Sequence, residues 1–387
     1  MLFKSRRAQR RALLAVALCA GAVGVVPAAA QATGSSNLSL PNVMTRNLYL
    51  GADLNPAIGA IQQCPSLPPQ QCQGLILSTN QSIWNHVVAT NFPARAKRLA
   101  KEIDDNDPYI VALQEVALWR SGPVDGVKDA TTVDYDFLAS LLSELNARGT
   151  HYKAAVTQQE ADIESPSGTP PTFADAADRR LTMRDVILVR TDLPKALVSF
   201  SNPQSANYAN FITLPTGSTY GPIEFKRGWA SVDIKLLGHP IARFVDTHLE
   251  SAATGVRFQQ ASELVSAAGP VANPAFPAII AGDLNSDPSI PFGGDFTSGA
   301  SDGLAFSAIA GAGFIDSGNT ANTFGHNADL NDFPSNPFTE RIDHIMFRPG
   351  GFTSHLTNKV VGTDPANRTP GGLWPSDHGG LVVGIGG

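Results

Sequence analysis

The chain has 387 residues, 43% of them hydrophobic and 16% charged, with a formal net charge of −6. That balance excludes a disordered chain and fits one large domain or two smaller ones. An acidic protein gains little from non-specific contact with polyanions, so any phosphate recognition falls to a local cationic patch.

The first element is a leader. Lys4, Arg6, Arg7, Arg10 and Arg11 form a basic stretch, ALLAVALCAGAVGVV follows as an apolar run too short for a membrane span, and Ala28 to Ala30 and Ala30 to Ala32 are both A-x-A cleavage signals. The reading is a secretory signal peptide over residues 1–32, with paired arginines compatible with twin-arginine or general export, and a single domain over 38–387. Its removal takes five positive charges and moves the formal charge from −6 to −11. No later segment is long and apolar enough to span a membrane, so the expected location is secreted and extracellular, and nothing calls for an obligate protein partner. Cys19 leaves with the leader. Cys64 and Cys72 remain, and an even pair in an exported chain predicts a small disulfide loop. Two cysteines alone cannot build a structural zinc site.

Apolar, β-branched runs predict strands at 42–50, 109–116, 185–190, 227–237, 241–250, 277–285, 341–348 and 379–385. Helical spacing predicts helices near 83–104, 135–147 and 256–268, the first divided at Pro93. The stretches 51–80, 160–180 and 199–226, rich in Pro, Ser, Gly and Asp, read as loops or insertions, either surface elaborations or substrate-facing lids. Alternating strands and helices fit an α/β sandwich of mixed sheets.

Polar residues recur at one end of these strands: Asn47 after VMTR, Glu115 after YIVALQ, Asp246-Thr247-His248 after IARFV, Asp283-Leu284-Asn285 after AIIAG, Asp343-His344 after RI, and Asp377-His378 before GGLVVGI. Sites form at such an end in α/β sheets. The donors are mostly oxygen, which suits Mg²⁺, Mn²⁺ or Ca²⁺ rather than zinc. No H-E-x-x-H, Walker loop or G-x-S-x-G is present. His344 reads as structural, because it alternates away from Asp343 on a strand.

In this order, TRNL, LQEV, DTHLE, GDLNSDP, RIDHIMF and PSDH resemble the motifs of the endonuclease/exonuclease/phosphatase superfamily, from about Asn42 to the end of the chain. The resemblance implies a four-layered α/β sandwich, two packed mixed β-sheets flanked by helices, and metal-dependent hydrolysis of phosphate esters. It implies that Glu115 is the principal Mg²⁺ ligand, with Asn47 and Asp377 near the metal. Asp283 then orients or deprotonates the attacking water beside Asn285, His248 and His378 contact the phosphate, and Asp343 pairs with His378. Arg184 or Asp185 occupies the region where relatives place a phosphate-contacting residue, and Arg184 is the candidate taken here.

Two departures narrow the branch. Tyr49 stands where abasic-site enzymes carry an acid, leaving Asp53 as the next one, and ERIDHIM lacks the Cys-Asp-Arg of the inositol-phosphatase branch. The expectation is a secreted, metal-dependent phosphodiesterase acting on nucleic acid or phospholipid by in-line attack of water. Arg179, Arg180, Arg184 and Arg190 are candidates for a cationic rim. The alternative is a catalytically silent binding module or toxin-like protein that keeps the fold.

Overall fold

The computed structural model describes residues 40–127, 130–216, 221–332, 338–348 and 355–386. The expected leader over 1–32 lies outside the described residues. In chain order come β1 (Leu40–Asn47), α1 (Asn55–Gln63), α2 (Pro69–Ala89), α3 (Phe92–Asn106), β2 (Ile110–Gln114), β3 (Leu118–Gly122), β4 (Thr132–Asp136) and α4 (Phe137–Ala147). There follow β5 (Tyr152–Ser167), β6 (Ala177–Arg190), β7 (Val198–Asn207), β8 (Ile212–Leu214), β9 (Ile223–Phe225), β10 (Gly228–Leu236), β11 (His239–His248) and α5 (Thr254–Leu264). The chain closes with β12 (Ala278–Asp283), α6 (Leu304–Gly311), β13 (Ile315–Asp316), β14 (Asp343–Arg348), β15 (His355–Val361) and β16 (Gly380–Gly386).

One sheet runs β15-β16-β1-β2-β6-β3-β4, with β5 lying along β6, and the other runs β13-β14-β12-β11-β10-β7. Alternation along the strands sorts their side chains into layers. Val43, Ile110, Ala112 and Ile187 of the first sheet meet Phe244, Ile279, Ala281 and Ile345 of the second in a dry seam. Met44, Val111, Leu113 and Leu188 face the other way, onto Leu99 and Ile103 of α3 and Leu141 of α4. Val245, Ile280 and Met346 do the same on the second sheet, against Ala261 and Leu264 of α5 and Ile309 of α6. This is the helix–sheet–sheet–helix sandwich that the sequence resemblance implied.

Parity also decides which polar residues meet. Asn47 continues the inward series of Val43, Asp283 that of Ile279 and Ala281, Asp343 that of Ile345, and His248 that of Phe244. All four arrive at the same edge of the seam. Gly282 lets β12 reach it: a Cβ there would stand 1.9 Å from the Thr247 carbonyl oxygen of the neighbouring strand. No other residue fits that approach.

Most elements fall where periodicity places them, and α2 and α3 divide as Pro93 requires. Asn91 adopts φ 43° between them and caps the Ala94 N–H of α3 at 3.3 Å. The three supposed loops carry regular elements. Segment 51–80 holds α1 and the start of α2, and the Cys64–Cys72 disulfide staples their junction. Segment 160–180 is the tip of the long β5–β6 hairpin. Its polar strands are held by cross-strand ion pairs such as Arg180–Asp162 at 2.6 Å. Segment 199–226 carries edge strand β7 and the small β8–β9 hairpin. An edge strand with one wet side lacks the apolar run that betrays a buried one.

Candidate active site

The strand ends converge on Asn47 and Asp283. Asn47 donates both amide hydrogens, to Glu115 Oε1 and to Asp283 Oδ2, each at 3.1 Å. Its Oδ1 accepts from the Tyr49 N–H at 2.9 Å. A backbone N–H can only donate, so the oxygen must face Tyr49 and the nitrogen must face the two acids. Asn47 is therefore a clamp between two carboxylates. This places Asn47 between the two acids expected near the metal, with its oxygen turned toward Tyr49.

Glu115 follows β2 with φ 56°, and its Oε2 accepts from the Leu50 N–H at 2.7 Å. It is half-buried and faces a cleft of about 870 Å³ that also receives His248, Asp283, Asn285, Asp377 and His378. Asn285 donates its backbone N–H to Asp283 Oδ1 at 2.8 Å and its side chain to the Leu249 carbonyl at 2.9 Å. Asp283 Oδ2 then lies 3.5 Å from His248 Nε2 and 3.7 Å from His378 Nε2. Burial raises the Asp283 carboxyl to about 7, with His378 opposing and Asp343 and Glu115 adding to the rise. Burial likewise raises Asp377 to about 6.

The two histidines differ because their partners differ. His378 Nδ1 lies 2.9 Å from Asp343 Oδ2. Burial alone disfavours its cation, but Asp343, Asp377 and Asp283 outweigh that and raise His378 to about 10. His248 Nδ1 lies 3.0 Å from Arg227 Nη1. A guanidinium only donates, so Nδ1 accepts and the ring proton sits on Nε2, facing Asp283. Burial, with Arg227 and His378 nearby, holds His248 well below the usual histidine range. One ring is thus a cation and the other a neutral donor.

Asp283, Asp343 and His378 offer ligand atoms within 4.8 Å of one another, a buried group able to hold a metal ion. Beneath the site lies a second acid layer. Asp246 accepts from Gln114 Nε2 at 2.7 Å, and Asp246 Oδ2, Asp185 Oδ2 and both oxygens of Glu160 find no hydrogen-bond partner among the described residues. Burial pushes the Asp185 carboxyl up to about 8 and those of Asp246 and Glu160 well above the usual range, which keeps charge out of the seam at neutral pH.

Arg184 does not enter the cleft. It shares the parity of Val186 and Leu188, away from the seam. Its guanidinium binds the carbonyls of Val116 and Ala117 at 2.9 and 3.2 Å and Asp136, the N-cap of α4, at 2.7 Å. The expected cationic rim dissolves in the same way: Arg179 covers the Trp84 ring, Arg180 pairs with Asp162, and Arg190 pairs with Asp107 and Asp192. Asp53 lines the cleft but is exposed, and its Oδ1 accepts from the Asn55 N–H at 2.9 Å. His344 is structural as expected, bonding the Ser286 carbonyl at 2.9 Å.

With this geometry, the match of the Endonuclease/Exonuclease/phosphatase family to residues 83–378 decides the assignment. The chain belongs to that family. Family members are phosphoesterases. Among solved structures, the chain resembles an endonuclease/exonuclease/phosphatase family protein from Bacteroides thetaiotaomicron, at 16% identity and a TM-score of 0.49, covering 90% of this chain and 98% of that one. It also resembles a mannosyl-6-phosphatase of the same organism (17% identity, TM-score 0.46, 89% and 98% covered) and a family protein from Beutenbergia cavernae (18%, 0.46, 90% and 72%). No curated protein matches the chain.

Three site-building residues escaped the sequence reading. Arg227 is the cation beside His248, and the tight β10–β11 hairpin, which sets Gly228 opposite His248, carried the signal. Arg95 of α3 is fully buried and donates to the carbonyls of Leu48, Tyr49, Thr90 and Pro375, tying the end of β1 to the loop before His378. Its sequence signal is an arginine inside the apolar stripe Phe92, Ala96, Leu99 and Ile103. His326 lines the cleft, pairs with Asp332 at 2.9 Å and stacks on Trp374. Nothing local in the sequence marks it.

Proposed function

We propose that the protein is an exported phosphodiesterase that depends on a divalent cation and cleaves by in-line attack of water. The observation that carries this reading is the Asn47 bridge, which sets Glu115 beside Asp283 while both histidines close on the same Asp283 oxygen. Burial raises the carboxyls of Asp283 and Asp377, with Glu115 adding to both rises, and a cation beside them would offset that cost. The donor set is oxygen, which fits Mg²⁺, Mn²⁺ or Ca²⁺. Glu115 and Asp377 would hold the ion. Bound there, it would stabilise charge developing on the phosphoryl oxygens.

The chain's own groups supply the rest. Asp283, poised near neutrality, takes the proton of the attacking water, with Asn285 fixing its other oxygen. Cationic His378, held by Asp343, donates to one phosphate oxygen, and neutral His248 donates from Nε2 to another. The phosphorus–oxygen bond opposite the water breaks, and the leaving oxygen departs as the new one bonds. Export rests on the leader over residues 1–32, and the Cys64–Cys72 disulfide supports an oxidising compartment. Among the described residues no helix is long and apolar enough to cross a membrane.

Hydrolysis of bis-p-nitrophenyl phosphate tests the reading. Turnover is expected with Mg²⁺ or Mn²⁺, to be lost in EDTA and restored by excess cation. Absence of turnover with every cation would leave the silent-module alternative standing.

A further inference from the structure

We infer that the substrate is a phosphoester carrying an alkyl chain, and that the chain lies in a pocket roofed by α1 and α2 beside the catalytic cleft. The ester chemistry rests on the reading above; the chain site rests on separate observations.

The pocket floor is sheet. Trp119 of β3 and Ile163 of β5 are both cross-strand partners of Leu181 on β6, so the three side chains form one apolar row. Ile58 and Ile61 of α1 and Ile76 and Trp84 of α2 close over it. Its volume is about 80 Å³, and its lining is almost wholly apolar. Ile58, Ile61, Ile76 and Trp84 are only half-buried, so apolar surface faces an unfilled space. An apolar lining of this kind stays dry and takes apolar ligands.

The pocket shares a wall with the site. Leu54, Ile58 and Phe225 line both the pocket and the catalytic cleft. A phosphate at Asp283 and His378 therefore has an apolar path beside it along Leu50, Leu54 and Ile58. The charge of the cleft points the same way. Its described lining holds five carboxylates, Asp53, Glu115, Glu250, Asp283 and Asp377, against one basic side chain beyond the histidines, Arg227. A nucleic-acid strand brings further phosphates on either side of the cleaved one and needs cations along its path. Here the flank offers isoleucines and leucines. The disulfide between α1 and α2 holds the roof as one unit.

The test is a series of p-nitrophenyl phosphodiesters whose second group is methyl, butyl or octyl, each used as monomer, with supercoiled DNA as the competing class. In the parent, kcat/KM is expected to rise about fourfold for each methylene that enters the pocket, and DNA to remain intact. Ala57→Phe fills the pocket and Ile76→Gln makes it polar; each is expected to bring the octyl-to-methyl ratio within about threefold of unity. Because the ratio is read within one protein, partial loss of folded enzyme cancels. A second readout is independent of turnover: octyl phosphate should shift the tryptophan emission of the Asp283→Asn protein, through Trp84 and Trp119, and not that of the two pocket variants. Equal turnover of methyl and octyl esters, preferential cleavage of DNA, or a parental ratio in both variants would overturn the chain site while leaving the phosphodiesterase reading intact. No turnover of any ester, with octyl phosphate still binding only to the unblocked pocket, would overturn the phosphodiesterase reading and keep the chain site.

Discussion

Replacing Asp343 with asparagine isolates the charge of His378 from its position. The amide is nearly isosteric and its oxygen can still accept from His378 Nδ1, so the 2.9 Å contact survives without the negative charge. The rise of His378 from 6.5 to about 10 represents roughly 5 kcal/mol in favour of the cation. Asp343 is the largest favourable contribution to it, opposed by burial. Without that charge, burial is opposed only by Asp377 and Asp283, and the His378 cation is weakened. Two consequences follow. The phosphate loses a charge-assisted donor, and kcat/KM should fall about 10²–10³-fold. Breaking a buried pair should also cost roughly 3–5 kcal/mol of stability. The size of that cost depends on pH: a raised histidine stabilises fully below 6.5, and its contribution vanishes as pH rises through 10. Urea unfolding of parent and variant should therefore differ at pH 6 and converge above pH 10. Histidine proton resonances followed by NMR give the titration directly. A variant whose His378 still titrates near 10, or whose stability gap is the same at pH 6 and pH 10.5, refutes the assignment.

The pH–rate profile of the parent should be bell-shaped, rising through about 7 as Asp283 loses its proton and falling through about 10 as His378 loses its own; saturating Mg²⁺ should move the acid limb down, and a flat profile from pH 5 to 9 would exclude Asp283 as the base. Arg227→Ala should leave Glu250, 3.9 Å from Arg227 Nε, without its cation and free His248 to exchange tautomers. The expected result is a loss of about 3–5 kcal/mol in urea unfolding and a lower kcat, with Arg227→Lys recovering stability more than rate. Cys64→Ser with Cys72→Ser opens a loop with a sequence separation of 8 and should cost at most about 2–3 kcal/mol, seen as a lower urea midpoint, while methyl-ester turnover persists.

Much of this site was legible because the seam residues obey a period of two. Val43, Thr45 and Asn47, or Ile279, Ala281 and Asp283, can be read as inward series that end in a polar residue. The same rule applied to β6 would have rejected Arg184, since Asp185 continues the inward series of Ile187 and Val189 and Arg184 does not. What stayed hidden depends on distant partners. Arg227 is an ordinary basic residue before a strand until β11 sets His248 beside it. His326 gains meaning only from Asp332 and Trp374. The helices of segment 51–80 were hidden for another reason: their prolines stand at helix starts, where they are tolerated, and several of their apolar residues, such as Ile58, Ile61 and Ile76, face the pocket.

The two histidines explain why the site needs so many second partners. In the proposed reaction, the phosphodiester carries one negative charge, and an in-line transition state adds charge to its equatorial oxygens while the water's proton leaves toward Asp283. Two imidazolium rings beside Asp283 would lower its pKa and remove its basicity. Two neutral rings would leave the developing charge with no cationic donor from the protein. Pairing His378 with Asp343 and His248 with Arg227 gives one ring of each kind around a single carboxylate oxygen. The base then keeps a pKa near 7 while the phosphate meets both a cation and a neutral donor. On this argument the identity of a ring's partner, rather than the ring itself, assigns its role. The histidines are interchangeable as letters and not as positions.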